Sequence, residues 1–162
     1  MKKILKSSAK IRFQDCDPFN HLNNSKYLDY FMNAREDQVL QYYHLDVYKN
    51  FIVSKNNWVV ASNQIAYLKP VFLMEDIVIE SQIFNCTEST LHVEMTMWNA
   101  GQSQLKAIYW VKFVYFDIKN LKRTNHSKEL MELFLKVETS IEQHNFEDRV
   151  QFLKNNTISN AL

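Results

Sequence analysis

The amino-acid sequence predicts an α+β fold in which an antiparallel sheet of about five strands is wrapped around a long central helix. Three observations carry this expectation: an uninterrupted helical run directly after a polar loop, four segments of strand periodicity behind it, and a lone glycine where a hairpin needs to turn. The 162 residues, 46% hydrophobic and 14% aromatic, suffice for one domain with a substantial core. No repeat or low-complexity block divides them, so residues 1–162 read as a single domain with a C-terminal helix and tail from about residue 127.

Residues 8–14 alternate, with Ala9, Ile11 and Phe13 apolar, and read as a first strand. From Asn24 to about His44 there is neither proline nor glycine, and Asn23 or Asn24 can cap the start of a helix. Tyr27, Leu28, Tyr30, Phe31, Ala34, Val39 and Leu40 make its first half apolar on more than one face, as expected of a helix surrounded by other elements. Residues 57–69 read as a strand that stops at Pro70. Residues 77–85 alternate Ile77, Ile79 and Ile83 inward against Glu80 and Gln82 outward. The order predicts four strands in antiparallel succession after the helix.

Residues 90–98 place Leu91, Val93, Met95 and Met97 on one face, then turn through Asn99, Ala100 and Gly101. Gly101 is the only glycine of the chain and is expected to take φ > 0 there. Its hairpin partner, residues 104–117, is apolar on both faces near the middle, which predicts a central strand covered by the helix on one side and a further element on the other. Residues 128–137 resume helical spacing, and the tail from Glu138 to the closing NNTISNAL is expected to fray.

Lys and Arg number 19 against 18 Asp and Glu, a net charge of +1, so no long-range field draws the chain to nucleic acid or an anionic membrane. No run approaches the roughly 20 apolar residues of a membrane span. The opening MKKILKSSAK has only Ile4 and Leu5 before polarity returns, which predicts a cytoplasmic protein. Cys16 and Cys86 have no metal-ligand spacing, and no disulfide is expected. The surplus of apolar residues is consistent with a buried face between copies of the chain, a homodimer or homotetramer.

The chemistry concentrates in FQDCDPFNHLNNSKYLDYFMNAR, residues 13–35. Asp15, Asp17, His21, Asn23 and Asn24 fall among turn-forming residues at the mouth of the helix. A carboxylate there can attack a carbonyl or deprotonate water, while helix-start amides bind the oxyanion. Asp17 is the candidate catalyst, His21 its orienting or donating partner, and Asn24 an oxyanion donor and cap. Asp15 is expected to bond loop amides that hold Asp17. Cys16, flanked by two aspartates, is a poor nucleophile. Asn23 and Tyr27 are candidate substrate contacts, as are Ser62 and Asn63, polar interruptions of an apolar strand that could reach a partner's active site. Arg35 could meet a carboxylate or a CoA phosphate, with a structural ion pair the expected role. No metal site is expected.

The Asp15, Asp17, His21, Asn23, Asn24, Tyr27 and Arg35 pattern resembles the Asp-x-Asp, His-x-Asn-Asn, Tyr and helix-borne Arg signature of the hotdog-fold acyl-CoA thioesterases, the 4-hydroxybenzoyl-CoA thioesterase-like group. IAYLKPVFLMEDIVIE, residues 65–80, is similar to that family's Tyr-Leu-x-Pro strand and acidic turn. The resemblance implies a hotdog fold, hydrolysis of an acyl-CoA or acyl-carrier-protein thioester, Asp17 as nucleophile or general base, no cofactor beyond the CoA of the substrate, and a dimer with active sites at the subunit interface. The chain departs from many members at Phe13, at Asn24, and near Asn20 and Met74, where glycine is common; the pattern resembles the His-x-Asn-Asn branch. A hotdog enoyl-CoA hydratase and a non-catalytic acyl- or protein-binding module are the alternatives.

Overall fold

The computed structural model describes residues 1–159. Strands β1 (Leu5–Lys10), β2 (Asn56–Tyr67), β3 (Asp76–Cys86), β4 (Thr90–Asn99), β5 (Leu105–Asp117) and the short β6 (Lys122–Arg123) form one antiparallel sheet. Helix α1 (Tyr27–Tyr43) packs on one face, followed by α2 (Val47–Ser54), and α3 (Lys128–Val137) and α4 (Phe146–Ser159) close the chain. The sheet curled against a long helix is the hotdog arrangement the sequence led us to expect, although α1 is not surrounded on all sides: Tyr27, Phe31, Ala34, Arg35, Gln38, Val39 and Tyr43 are buried, while Asp29, Asn33, Asp37 and Leu40 are exposed.

The strand order is β1-β3-β4-β5-β2, with β6 pairing β5. The four strands after the helix are therefore not laid down side by side in succession. β2 sits at the far edge, and the chain crosses from it to β3 through residues 68–75. The first strand also starts and ends earlier than its alternation suggests. β1 pairs Leu5–Lys10 with β3, and the chain then enters a 3₁₀ turn at Phe13–Asp15 that leaves Phe13 78% exposed.

The inward faces follow the predicted alternation. Ile77, Ile79, Ile83, Val93, Met95 and Met97 are buried, and Phe31 of α1 stacks on Tyr109 of β5 at 5.3 Å. Burial of each such side chain stabilises by roughly 1.5–3 kcal/mol. The other face is where the tail was misjudged. Residues 146–159 do not fray: Phe146, Val150 and Leu153 lie at helical spacing against Leu105, Ile108, Trp98 and Trp110. Asn145 caps this helix, accepting the Asp148 N–H at 2.9 Å. Arg149 grips the buried Glu94 of β4 with two hydrogen bonds of 2.8 Å. Gln82, expected to face outward, is buried under this layer and donates to Glu94 at 2.8 Å. Of the predicted NNTISNAL terminus, residues 160–162 lie outside the described residues.

Helix α1 begins at Tyr27, after a 3₁₀ turn at Asn24–Lys26 capped by Asn23, and ends at His44 in the left-handed region. α2 was not foreseen; Asp46 caps it by accepting the N–H groups of Tyr48 and Lys49. The β4–β5 hairpin forms, yet its left-handed residue is Gln102 at φ 51°, and Gly101 does not take positive φ. A Cβ at Gly101 would meet only the Asn99 amide at 4.0 Å, so neither conformation nor space demands glycine there. No helix among the described residues is long and apolar enough to cross a membrane.

Candidate active site

The aspartate loop is built by its own polar side chains. Asp17 Oδ1 accepts the N–H of Phe19 at 2.9 Å and of His21 at 3.0 Å, while the Asp17 N–H donates to the His21 carbonyl at 2.8 Å. This closes a tight turn across Pro18–Asn20, with Asn20 at φ 60°, a conformation asparagine tolerates. A second loop braces the first. Leu22 donates to the Val71 carbonyl at 2.8 Å, Leu73 to that of Asn20 at 2.9 Å, and Met74 sits at φ 63°. Both positions where the family resemblance led us to note a missing glycine are thus left-handed. Lys106, buried and paired with Glu75 at 2.8 Å, donates to the Pro70 carbonyl at 3.0 Å and pins this loop to β5.

Asp17, His21, Asn24 and Tyr27 line one open cleft of about 210 Å³. Tyr67, the last residue of β2, and Leu68, Lys69 and Pro70 after it line the same cleft. Four residues spread over eleven positions of sequence are brought together because the turn and the helix start face the same opening. The His21 ring meets Phe72 edge-on at 5.1 Å, which fixes its plane. Tyr27 is 2% exposed, and burial pushes its phenol up to about 12, so it is a neutral donor in the physiological range. Its ring stands edge-on to Tyr67 at 4.9 Å, and the Tyr67 hydroxyl donates to the Asn24 carbonyl at 3.1 Å. The Asn24 side chain makes no hydrogen bond among the described residues, and Asn24 lines the cleft from the 3₁₀ turn that precedes α1.

Other candidates lie elsewhere. Asn23 spends its Oδ1 on the N–H of Ser25 at 3.0 Å and on the Ser25 hydroxyl at 2.8 Å, and it does not line the cleft. Ser62 and Asn63 line a separate cavity with Trp110 and His144. Asp15 does not bond loop amides with its carboxylate; it accepts the Tyr30 hydroxyl at 2.8 Å. Burial, then the charges of Asp15 and Asp17, pushes the Cys16 thiol up, as the sequence led us to expect. Arg35 makes no ion pair among the described residues, against expectation: it is buried and donates to the Ser81 hydroxyl at 3.0 Å. Tyr67 and Lys69 are cleft residues that residue-type reasoning passed over. Their signal was available in the Tyr-Leu-x-Pro segment, read as fold signature only. No group of three His, Cys, Asp or Glu among the described residues is placed to hold a metal ion.

An antiparallel sheet curled against a long helix is the fold class of the hotdog proteins. A sequence model of the thioesterase-like superfamily matches residues 11–134, and the chain belongs to that superfamily of thioester hydrolases. Among particular relatives, the long-chain acyl-CoA thioesterase FadM of Escherichia coli strain K12 is 27% identical over 130 residues, covering 79% of this chain and 95% of FadM. The crystal structure of YbaW, a probable thioesterase from Escherichia coli, superimposes with a TM-score of 0.70 at 25% identity, covering 83% of this chain and 99% of that one. SAV2348 of Staphylococcus aureus, solved in complex with CoA, has the same fold, with a TM-score of 0.75 at 12% identity over 88% of this chain and 90% of its own.

Proposed function

We propose that this chain hydrolyses an acyl-CoA thioester to a free acid and CoA, with Asp17 as nucleophile or general base. The observation that carries the reading is the clamped carboxylate: two main-chain N–H groups hold Oδ1 of Asp17, Oδ2 accepts no hydrogen bond among the described residues, and Asp17 lines the cleft. As a base, Oδ2 takes a proton from water, and the water oxygen adds to the thioester carbonyl. As a nucleophile, Oδ2 adds itself, the thiolate leaves, and water opens the mixed anhydride. In either route the carbonyl oxygen becomes negative. The Asn24 amide, at the helix start, is the donor aimed at that charge, and one such donor contributes about 3 kcal/mol. His21 assists by donating to the thioester, and the neutral Tyr27 phenol positions the acyl group. The steps need no bound cofactor, and CoA enters as part of the substrate. The His-x-Asn-Asn pattern supports that branch of the family, and acyl-carrier protein is the alternative thiol carrier.

The active unit we propose is a homodimer, with a homotetramer as the larger possibility. β2 is a sheet edge with Val59 37% and Val60 46% exposed, and it leads directly into the cleft wall at Tyr67–Pro70. A second copy on that edge would bring its own β2 beside the cleft, and this is the arrangement in which Ser62 and Asn63 would contact substrate. The cytoplasm is the proposed site of action.

The decisive measurement is thiol release from a panel of acyl- and aryl-CoAs by wild type and Asp17→Asn. Loss of roughly 100-fold or more in kcat with native circular dichroism is expected. Near wild-type turnover would sink the assignment. Single turnover in ¹⁸O water, with enzyme in excess, then tests the routes: a general base places the label in the free acid, whereas a nucleophilic route in which water opens the anhydride at the Asp17 carbonyl places it in the Asp17 side chain and leaves the acid unlabelled.

A further inference from the structure

Among the described residues, Arg35 is a buried cation without a counter-ion. It is 7% exposed, donates to the Ser81 hydroxyl at 3.0 Å, faces the Tyr43 ring at 6.0 Å, and has no carboxylate within ion-pair distance among the described residues. Burial lowers its guanidinium to about 10, which leaves it charged at neutral pH. An unpaired interior charge is costly, so a chain that keeps one either gains elsewhere or receives a counter-charge from outside.

The surroundings favour the second case. Arg35 lines a cavity of about 130 Å³ between α1, α2 and the sheet, whose walls include Val39, Leu45, Trp58, Val93, Phe113 and Phe134. Glu36 is also at this cavity, but its carboxylate accepts the Tyr48 hydroxyl at 2.8 Å rather than pairing with Arg35. A dry apolar cavity of about 150 Å³ holds benzene, so this one suits a single ring or a chain of about six carbons. The Asp17 cleft shares no lining residue with it. Arg35 lies eight positions beyond Tyr27 on α1, about 12 Å along the helix at 1.5 Å per residue.

We propose that this cavity is a second binding site, for a small apolar carboxylate whose charged end pairs with Arg35 and whose hydrocarbon end fills the pocket beside Trp58. The guanidinium fork suits a carboxylate, and the apolar walls supply the preference for a short chain or ring. The carboxylate has two sources: a free acid, or the far end of an acyl group carrying a terminal carboxylate. The site itself does not depend on the thioesterase reading; only the second source does.

Calorimetric titration of the full chain with hexanoate, benzoate and hexan-1-ol at pH 7 tests it without turnover. Saturable binding of the two acids, at least tenfold tighter than the alcohol, with that preference abolished in Arg35→Gln, is the expected result. Equal affinity for acid and alcohol, no acid binding at millimolar concentration, or a preference that survives Arg35→Gln would overturn it. Because wild type alone gives the acid-alcohol contrast, the test stands even where the variant does not fold. KM for hexanoyl-CoA against the CoA thioester of a six-carbon dicarboxylic acid separates the sources. A lower KM for the dicarboxylyl thioester, lost in Arg35→Gln, assigns the site to the acyl tail; equal KM values with acid binding intact assign it to the free acid.

Discussion

Asp17 and His21 are locked to each other through the main chain in both directions: Oδ1 of Asp17 accepts the His21 N–H at 3.0 Å, and the Asp17 N–H donates to the His21 carbonyl at 2.8 Å. The catalytic carboxylate we propose is therefore also the keystone of its own loop, and substitutions should separate the two roles. Asn keeps an oxygen at Oδ1 and so keeps the turn, whereas Ala leaves two N–H groups without their acceptor. Asp17→Asn is expected to unfold within about 0.5 kcal/mol of wild type, and Asp17→Ala to lose about 1–2 kcal/mol. Urea denaturation of both, alongside thiol release, checks this; equal stability of the two variants would remove the structural half of the claim.

The hairpin reverses a sequence expectation, and the reversal is measurable. Gln102 holds φ 51° without the freedom glycine has, while Gly101, with open space at its Cβ position, does not need that freedom. Gln102→Gly relieves a left-handed residue but removes the hydrogen bonds of the Gln102 side chain to Glu80 at 2.8 Å and Lys6 at 3.1 Å, so it should change stability by less than about 0.5 kcal/mol, whereas Gly101→Ala should stabilise by about 0.4–1 kcal/mol by restricting the unfolded chain. Thermal melts would show both; a loss of stability in Gly101→Ala would mean the turn uses glycine after all.

Stability should fall on acidification through a buried histidine. His126 is 7% exposed; burial depresses its imidazole below the ordinary value of 6.5, the nearby Thr87 and Glu88 main-chain groups opposing this only in part. Its Nε2 accepts the Trp58 indole N–H at 3.0 Å, which requires the neutral ring. The unfolded chain binds a proton near 6.5 and the folded chain only at lower pH, so this contribution is complete above 6.5 and is lost as pH falls through the folded value. Denaturation midpoints between pH 8 and 5 should show this slope in wild type, and His126→Gln should flatten it.

The fold was legible where one signal dominates. Alternation at Ile77, Ile79 and Ile83, and at Leu91 through Met97, reports a single buried face, and the helix after Asn24 has no competing breaker. The gathering of Asp17, His21, Asn24 and Tyr27 was legible because all four belong to one local turn and the helix it opens. What failed was non-local. Nothing in β2 itself says that it pairs with β5 rather than β3. The tail looked aperiodic because α4 buries only a narrow stripe and secures itself through Arg149, whose partner Glu94 is 55 positions earlier. Arg35 looked like half of an ion pair, and only the packed core reveals that no other half is present among the described residues.

That distant clamp gives a prediction of its own. Glu94 is 3% exposed, accepts two hydrogen bonds from Arg149, and also accepts from Gln82 and the Trp110 indole at 2.8 Å each. Removing the arginine alone leaves a buried carboxylate without its cation, so Arg149→Met should cost about 3–5 kcal/mol. Neutralising the acid at the same time removes most of that penalty, and Arg149→Met with Glu94→Gln should be markedly less destabilised than the sum of the single variants.

The sheet edge decides whether the cleft works alone. β2 presents an unpaired row of main-chain groups over its exposed stretch from Val59 to Gln64, and such an edge either pairs with another strand or carries charges that prevent pairing. From Val59 to Gln64 the strand reads Val, Val, Ala, Ser, Asn, Gln, with no charge at all, so nothing there resists a second copy. Light scattering of the purified chain is expected to give twice the 19.4 kDa protomer mass, or four times it. Val59→Lys with Val60→Lys should shift it to the monomer. If the cleft draws residues from a neighbouring β2, thiol release must fall with the dimer; a monomer that keeps full turnover would place the whole site within one chain.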